Sequence, residues 1–357
     1  MHISLKPLSE QTIVITGGSS GIGLATAQDA LAHGARVVLV ARDEDTLKSV
    51  VHELSRSGGK ADYVAADVGE REQVRHVVDT VIQRYGGFDT WVNDAGVGVY
   101  ATLEELSDED HARMFQTNYW GVVFGSTEAL RHLRERGGAL INIGSISSDV
   151  PAPILSSYTA SKHAVKGFTN SLRLELIHDR APVSVTLIRP SGIHTPFGLH
   201  ARNYLDKESR VPPPVYHPKL VSQAILHAAA RPTREVTIGG SGMAMTWLTR
   251  LFPRFADRLF TYMYYRAAVS DQARTETRSA LYASSGGGNE LGDQEGHIRK
   301  MSFYTRHQMS PWMKAGCAAA ATALVVGAVK YAPHMRTSKA ERELSSMKKA
   351  LRKKLRH

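Results

Sequence analysis

The 357-residue chain is predicted to fold as an α/β protein, a doubly wound parallel sheet of about seven strands with a helical C-terminal extension. Three observations predict it. Short β-branched apolar runs alternate with helix-length segments, as in a parallel sheet covered on both faces. A glycine-rich loop, Gly17-Gly18-Ser19-Ser20-Gly21-Ile22-Gly23, stands between the first such run and the first helix. Residues suited to chemistry fall just after the apolar runs, at the strand ends where open α/β sheets bind ligands.

In chain order, Thr12–Thr16 is a β-branched run that reads as a buried strand, and 24–32 reads as a helix ending near Gly34. Strand, glycine loop and helix together are the context of a dinucleotide site. Glycines let the backbone approach a pyrophosphate, and a helix N-terminus offers unpaired N–H groups and a positive dipole end. The alternative is a plain tight turn, and the spacing departs from G-x-G-x-x-G because three residues separate Gly17 from Gly21. A second strand, 35–40, ends in Ala41-Arg42 with no acid before Asp43. An acid there would take the ribose 2′-hydroxyl of NAD, whereas a guanidinium suits the 2′-phosphate of NADP. NADP(H) is therefore favoured over NAD(H), unless Arg42 is only a surface arginine beside a helix start.

The pattern continues with a helix over 43–54, a strand over 61–66 closed by Asp67-Val68, and a helix over 73–85. A strand over 89–93 runs into Asp94-Ala95-Gly96, and a helix over 111–133 precedes a strand over 139–143. The sixth and seventh strands are 183–188 and 235–238. Gly17, Arg42, Asp67, Asn93, Gly144 and Pro190 then share the carboxyl edge of one sheet. Within Ser156-Ser157-Tyr158-Thr159-Ala160-Ser161-Lys162, the tyrosine and lysine lie one helical turn apart. An ammonium beside a phenol favours the phenolate, which is expected to lower the Tyr158 pKa towards the range of a general acid or base. Taken alone, the pair also fits an exposed surface contact.

Composition sets limits. Apolar content of 42% and charged content of 22% are ordinary for a globular protein. The single cysteine, Cys317, excludes an internal disulfide and fits a reducing, cytoplasmic setting. Residues 1–10 lack an apolar run, so no secretory signal is expected. The net charge of +10 is uneven: from Arg336 onwards there are nine Lys or Arg and two Asp or Glu, which is +7. The body carries the remaining +3, and nucleic acid is not expected as a partner. His194 and His200 have no further ligand at metal-binding spacing, so no metal is expected.

These motifs together resemble the classical short-chain dehydrogenase/reductase family, with its Rossmann fold, from about Ser9 to Gly240. Thr16 to Gly23 looks like the family's cofactor loop, and Asp67-Val68 like its adenine-contact pair. Asn93-Asp94-Ala95-Gly96 is similar to its Asn-Asn-Ala-Gly motif, with Asp94 in place of the second asparagine. That change is expected to alter packing around the central strand and to leave the acid/base group untouched. Asn118 and Ser145 stand at the positions of the family's active-site asparagine and serine. Pro190-Ser191-Gly192-Ile193-His194-Thr195 looks like its Pro-Gly-x-x-x-Thr segment, with Ser191 replacing glycine.

The resemblance implies an NADP(H)-dependent oxidoreductase interconverting a carbonyl and a secondary alcohol. Its catalytic residues would be Asn118, Ser145, Tyr158 and Lys162. Its cofactor residues would be Gly17, Ser19, Ser20, Gly21, Ile22, Gly23, Arg42, Asp67, Val68, Asn93, Ala95, Gly96, Tyr158, Lys162, Pro190, Ile193 and Thr195. A homo-oligomer and a small-molecule carbonyl or alcohol substrate are implied too. The alternative is a non-catalytic NADP(H)-binding sensor or scaffold, in which Ser145 only caps a turn and Asn118 only satisfies a helix carbonyl. Residues 193–216, with Phe197, Leu199, Tyr204, Val211, Val215 and Tyr216, are expected to form an apolar cover over a lipophilic substrate.

Four segments follow: residues 1–240 as the catalytic domain, 241–283 as an amphipathic helical extension, 284–311 as a flexible linker, and 312–357 as an apolar segment plus basic tail. In the extension, Trp247, Leu248, Leu251, Phe252, Phe255, Leu259, Phe260 and Met263 are placed on one helical face, with Pro253 kinking or dividing the helix. Such a face suits a membrane interface or packing over the substrate cleft. Ser284 to Asn289 reads as linker. Residues 315–329 carry no charge and span about 22 Å as a helix, short of a bilayer core. Flanking lysines and the +7 tail still favour a C-terminal membrane anchor or surface attachment on the cytoplasmic side.

Overall fold

The computed structural model describes residues 3–274, 279–284, 286–310 and 313. The chain divides into two compact units, Met1–Thr305 and Arg306–His357. The first carries a seven-stranded parallel sheet: β1 (Thr12–Thr16), β2 (Arg36–Ala41), β3 (Lys60–Ala65), β4 (Thr90–Asn93), β5 (Gly138–Ile143), β6 (Val183–Pro190) and β7 (Glu235–Ile238). Their spatial order is β7-β6-β5-β4-β1-β2-β3. The order reverses between β1 and β4, which opens a crevice at the strands' carboxyl ends. β1, β4, β5 and β6 are buried along their whole length, which is why their sequences read as apolar runs without alternation.

The helices are α1 (Gly21–Ala32), α2 (Glu44–Arg56), α3 (Arg71–Tyr85), α4 (Asp108–Phe115), α5 (Gly121–Arg136), α6 (Ser156–His178), α7 (Phe197–His200), α8 (Lys219–Ala230), α9 (Gly240–Leu251) and α10 (Pro253–Ala268). Their starts follow local chemistry. Asp43 caps α2 by accepting the Thr46 N–H at 3.0 Å, and Ser107 caps α4 by accepting that of Asp110 at 3.2 Å. The single helix expected over 111–133 is α4 and α5 joined by a π-turn, Gln116–Trp120. Such turns recur at functional sites, and this one carries Asn118.

Register places the site. Thr16 pairs with Val40 on one side and Asn93 on the other, while Ala41 pairs with Ala65. The residues that follow, Gly17, Arg42, Ala66-Asp67 and Asp94, therefore emerge side by side. Asn93 pairs with Asn142, and Ile143 with Ile188, which adds Gly144-Ser145 and Pro190 to the same edge.

After β7 the structure departs from expectation in three places. Pro253 divides the extension: α9 ends at Leu251, and α10 starts with the proline in its first turn. The break turns the two halves relative to each other, so the eight apolar residues do not share a face. Leu248, Leu259 and Phe260 pack with Val150 and Ile146, whereas Trp247, Leu251, Phe252, Phe255 and Met263 are exposed. Arg250 and Arg189 both meet the Asp149 carboxylate, which ties α9 to the body.

The second departure is at the border of the expected extension and linker, where residues 279–284 are not helical and the residues after them are tied down. Leu281 is fully buried beside Val97, Val99, Ala101 and Met114, and Gly288 N–H donates to Ser19 O at 2.8 Å. Long-range contacts order a stretch that its own composition would leave free. Third, the polar residues beyond it include a short strand, Ile298–Arg299, paired with Val215–Tyr216, and a helix, Phe303–Met309. Thr305 donates its hydroxyl to Thr237 O at 3.2 Å, closing the end of β7. Residues 315–329 and the basic tail lie outside the described residues. Among the described residues no helix is long and apolar enough to cross a membrane.

Candidate active site

The crevice holds two adjoining cavities. The first, along β1, β2 and β3, measures about 190 Å³. Its floor is the glycine loop. A side chain at Gly17, where φ is +71°, would come within 2.9 Å of Ala95 Cα, and one at Gly23 within 2.3 Å of Gly17 O. Only glycine lets this loop lie against both neighbours. Gly17, Ser19, Ser20, Gly21, Ile22, Arg42, Asp67, Val68, Ala95, Gly96 and Thr195 line the cavity.

Gly23 lies beneath this wall as packing, and so does Asn93. The Asn93 amide donates to Asn142 Oδ1 at 2.8 Å and to Ser126 Oγ at 3.2 Å, and its Oδ1 accepts the Trp91 indole N–H at 2.7 Å. Asn93 thus braces β4 against β5 and α5. Thr117, which the motifs did not single out, lines the cavity with a buried Oγ1 that has no partner among the described residues. A glycine-rich loop at a helix N-terminus, a cation at the far end and an unspent hydroxyl fit an extended dinucleotide.

The second cavity, about 230 Å³, lies over β5 and β6. Ser145, Tyr158, Lys162, Pro190 and Ile193 line it, and Ile22, Asp94, Gly96, Thr195 and Phe197 line both cavities. Its other walls are mostly apolar: Leu155, Phe197, Val211, the Pro212–Pro214 run, Met245 and Tyr264. The expected cover contributes Phe197, whose ring lies 5.4 Å from that of Tyr158, and Val211. Val215 and Tyr216 are instead buried in strand pairing, Tyr204 donates to Asp110, and Leu199 is exposed. Met245 and Tyr264 come from α9 and α10, so the extension packs over this cleft. No motif marked these residues.

At the cavity floor Ser145 and Tyr158 line the same wall, and the serine hydroxyl favours the phenolate of its neighbour. Ser145 Oγ also accepts the Ser147 N–H at 3.0 Å, so it caps the turn 146–148 as well as meeting the tyrosine. Ser148 fixes the turn against α6 by donating to Lys162 O at 2.7 Å. Lys162 is buried, donates to Ile143 O at 2.9 Å, and holds its ammonium 5.7 Å from the centre of the Tyr158 ring. Asn118 is fully buried. Its Oδ1 accepts the Val97 N–H at 2.8 Å, and its amide donates to Val97 O at 3.0 Å and to Ser161 Oγ at 3.2 Å.

Two expectations about charge are corrected. Tyr158 is not drawn towards neutrality: burial pushes its pKa up to about 12, against the pull of the Ser145 hydrogen bond, with the Asp94 charge adding to the rise. Lys162 is itself lowered to about 8 by burial, opposed by Asp94. Desolvation outweighs the one-turn spacing, because the apolar wall strips water from both groups. Second, Asp94 does touch the acid/base pair, since its charge raises both neighbours. Burial lifts its own pKa to about 7, against the opposing effects of Lys162 and the Gly23 N–H.

The fold and this crevice define a dinucleotide-binding oxidoreductase. Residues 11–204 match the short chain dehydrogenase family model, and the chain belongs to that family. It is 42% identical over 334 residues to the uncharacterized oxidoreductase YxnA of Bacillus subtilis (strain 168), covering 92% of each chain. It is 31% identical over 288 residues to an 11-beta-hydroxysteroid dehydrogenase A of Sesamum indicum, covering 77% of this chain and 82% of that one. An alcohol dehydrogenase of the archaeon Thermococcus sibiricus, solved with 5-hydroxy-NADP, superposes with a TM-score of 0.56 at 27% identity, over 64% of this chain and 95% of that one. The protein is accordingly an enzyme acting between CH–OH and C=O groups with a nicotinamide cofactor.

Proposed function

We propose that the protein is an NADP(H)-dependent oxidoreductase that interconverts a carbonyl and a secondary alcohol on a lipophilic substrate, with Tyr158 as general acid/base. The observation that carries this reading is the convergence of Ser145, Tyr158 and Lys162 on one apolar cavity that shares five lining residues with the cofactor cleft. The nicotinamide, when bound, supplies or accepts the hydride. The chain's own residues handle the rest. At neutral pH Tyr158 holds its proton, so in reduction it is ready to donate to the carbonyl oxygen. In oxidation it must first lose that proton, and the Ser145 bond lowers the cost. Ser145 also steadies the substrate oxygen as charge gathers there.

Lys162 would hold the nicotinamide ribose. Asn118, with its polar atoms committed to Val97 and Ser161, acts by positioning α6. Gly17 to Gly23 would take the pyrophosphate and Arg42 the 2′-phosphate. Hydroxysteroid dehydrogenases among the relatives support a bulky apolar alcohol or ketone as the substrate class. A screen of NADPH consumption against sterols, cyclic ketones, quinones, fatty aldehydes and small polar ketones tests the proposal. Turnover of the small polar members alone would contradict the lipophilic reading. Binding of NADPH without turnover of any would favour the sensor.

The same proposal includes a homo-oligomer, by family likeness, and membrane attachment through 315–329 and the basic tail, which the +7 charge of that tail supports. Full-length protein should pellet with anionic vesicles. Recovery wholly in the supernatant at low salt would rule the attachment out.

A further inference from the structure

Across the mouth of the cofactor cleft runs a strap made of Ala280–Ser284 and Gly286–Asn289. Its backbone carbonyls meet the groups on which phosphates would depend. Arg42 Nη2 donates to Ala280 O and, at 3.4 Å, to Ala283 O, and Nη1 donates to Leu281 O at 3.5 Å. Arg113 Nε donates to the same Leu281 O at 3.0 Å, while its Nη2 pairs with Asp67. At the other end Asn289 O accepts the Gly21 N–H at 3.0 Å, at the start of α1. Two anchors hold the strap there. Leu281 is fully buried, and the Tyr282 hydroxyl donates to Asp110 at 2.7 Å.

We propose that this strap competes with the 2′-phosphate of NADP(H) for the Arg42 guanidinium, so that it gates the adenosine end of the cleft and sets how strongly the two cofactors are distinguished. The inference rests on the NADP(H) reading above. Of the two carboxylates here, Asp67 pairs with Arg113 and Asp43 caps α2, which leaves the Arg42 guanidinium hydrogen-bonded to neutral carbonyls. A phosphate dianion makes stronger, charge-assisted bonds to a guanidinium than peptide carbonyls do. Seating it at Arg42 pulls the guanidinium away from the carbonyls at 280, 281 and 283. NAD(H), which lacks that phosphate, contests only the Asn289 end. NADP(H) therefore works against a closed strap that NAD(H) leaves largely in place, and part of its intrinsic affinity is hidden.

The test uses the full chain with two strap variants, Leu281→Ala and Tyr282→Phe. The second removes one hydrogen bond from a side chain that is 52% exposed, so it does not threaten the fold. Titrated against each cofactor, both variants should bind NADPH more tightly, Leu281→Ala by roughly tenfold, with little change for NADH. Deuterium uptake over 279–290 in the unmodified chain should rise with NADPH and stay level with NADH. If both variants bind NADPH no better, or worse, while Arg42→Ala still weakens NADPH selectively, the strap is a fixed wall and the gate is wrong, although the cofactor reading stands. If Arg42→Ala weakens both cofactors equally, the NADP(H) reading falls and the gate with it.

Discussion

The two ends of the crevice sit on one sheet edge but are governed by different physics. At the β5–β6 end Lys162 is buried and Tyr158 and Asp94 are half-buried against an apolar wall, and desolvation dominates their protonation: Tyr158 is pushed up to about 12, Lys162 is lowered to about 8, and Asp94 is raised to about 7. At the β2–β3 end the half-buried groups are held by partners instead: Arg113 pairs with Asp67, and Arg42 and Arg113 both donate to strap carbonyls. On the proposed reading one end manages a proton and the other an anion. Changes at the first should therefore appear in turnover and pH dependence, and changes at the second in cofactor affinity.

The largest expected effect is at the proton end. Tyr158→Phe keeps the ring and loses the ionisable proton, so turnover should fall roughly 10²–10⁴-fold. NADPH affinity, measured by fluorescence titration, should barely move. A variant with near-full turnover would remove the tyrosine from the mechanism. Ser145→Ala should cost roughly 10²-fold in kcat, as loss of one donor to a developing oxyanion does. It should also raise the Tyr158 pKa, because the serine hydrogen bond now lowers it. A pure KM effect would mean that Ser145 is only the turn cap.

At the anion end, Arg42→Ala should weaken NADPH by roughly tenfold or more, the scale of one charged hydrogen bond, and NADH far less. The smallest effect sharpens the border between the two ends. The Asp94 charge raises the Tyr158 pKa, so Asp94→Asn should lower it and move the rise of alcohol oxidation with pH to lower pH. The sign follows from the form required: oxidation needs the phenolate, and a neutral neighbour opposes the phenolate less. Below about pH 7 the wild-type Asp94 is itself protonated, so the two profiles should converge there. A shift to higher pH, or a gap that persists in acid, would contradict this electrostatic role.

Much of the crevice was legible because its residues lie in contiguous motifs at strand ends. The glycine loop, Arg42 and the Tyr158–Lys162 turn could each be placed from spacing and a strand–helix context. Proton energetics could not, because spacing carries no information about burial: the turn that brings Lys162 near Tyr158 says nothing of the apolar wall around them. Asp94 read as a packing change for the same reason. The strap was the least legible part. Its Gly286–Asn289 part reads as linker, and its placement comes from partners far away in sequence: Arg42 for Ala283, Met114 for Leu281 and Ser19 for Gly288. The extension was half legible. Pro253 announced a break, but which apolar residues would turn inwards depended on Val150 and Ile146.

The account's central claim is that proton handling and anion binding are separate functions of one crevice. A double-mutant cycle on kcat/KM with NADPH, using Tyr158→Phe, Arg42→Ala and the two combined, tests it most directly. Independent ends predict that the double variant's loss equals the product of the two single losses. A double variant no worse than Tyr158→Phe alone would contradict it, because the two residues would then be acting as one unit.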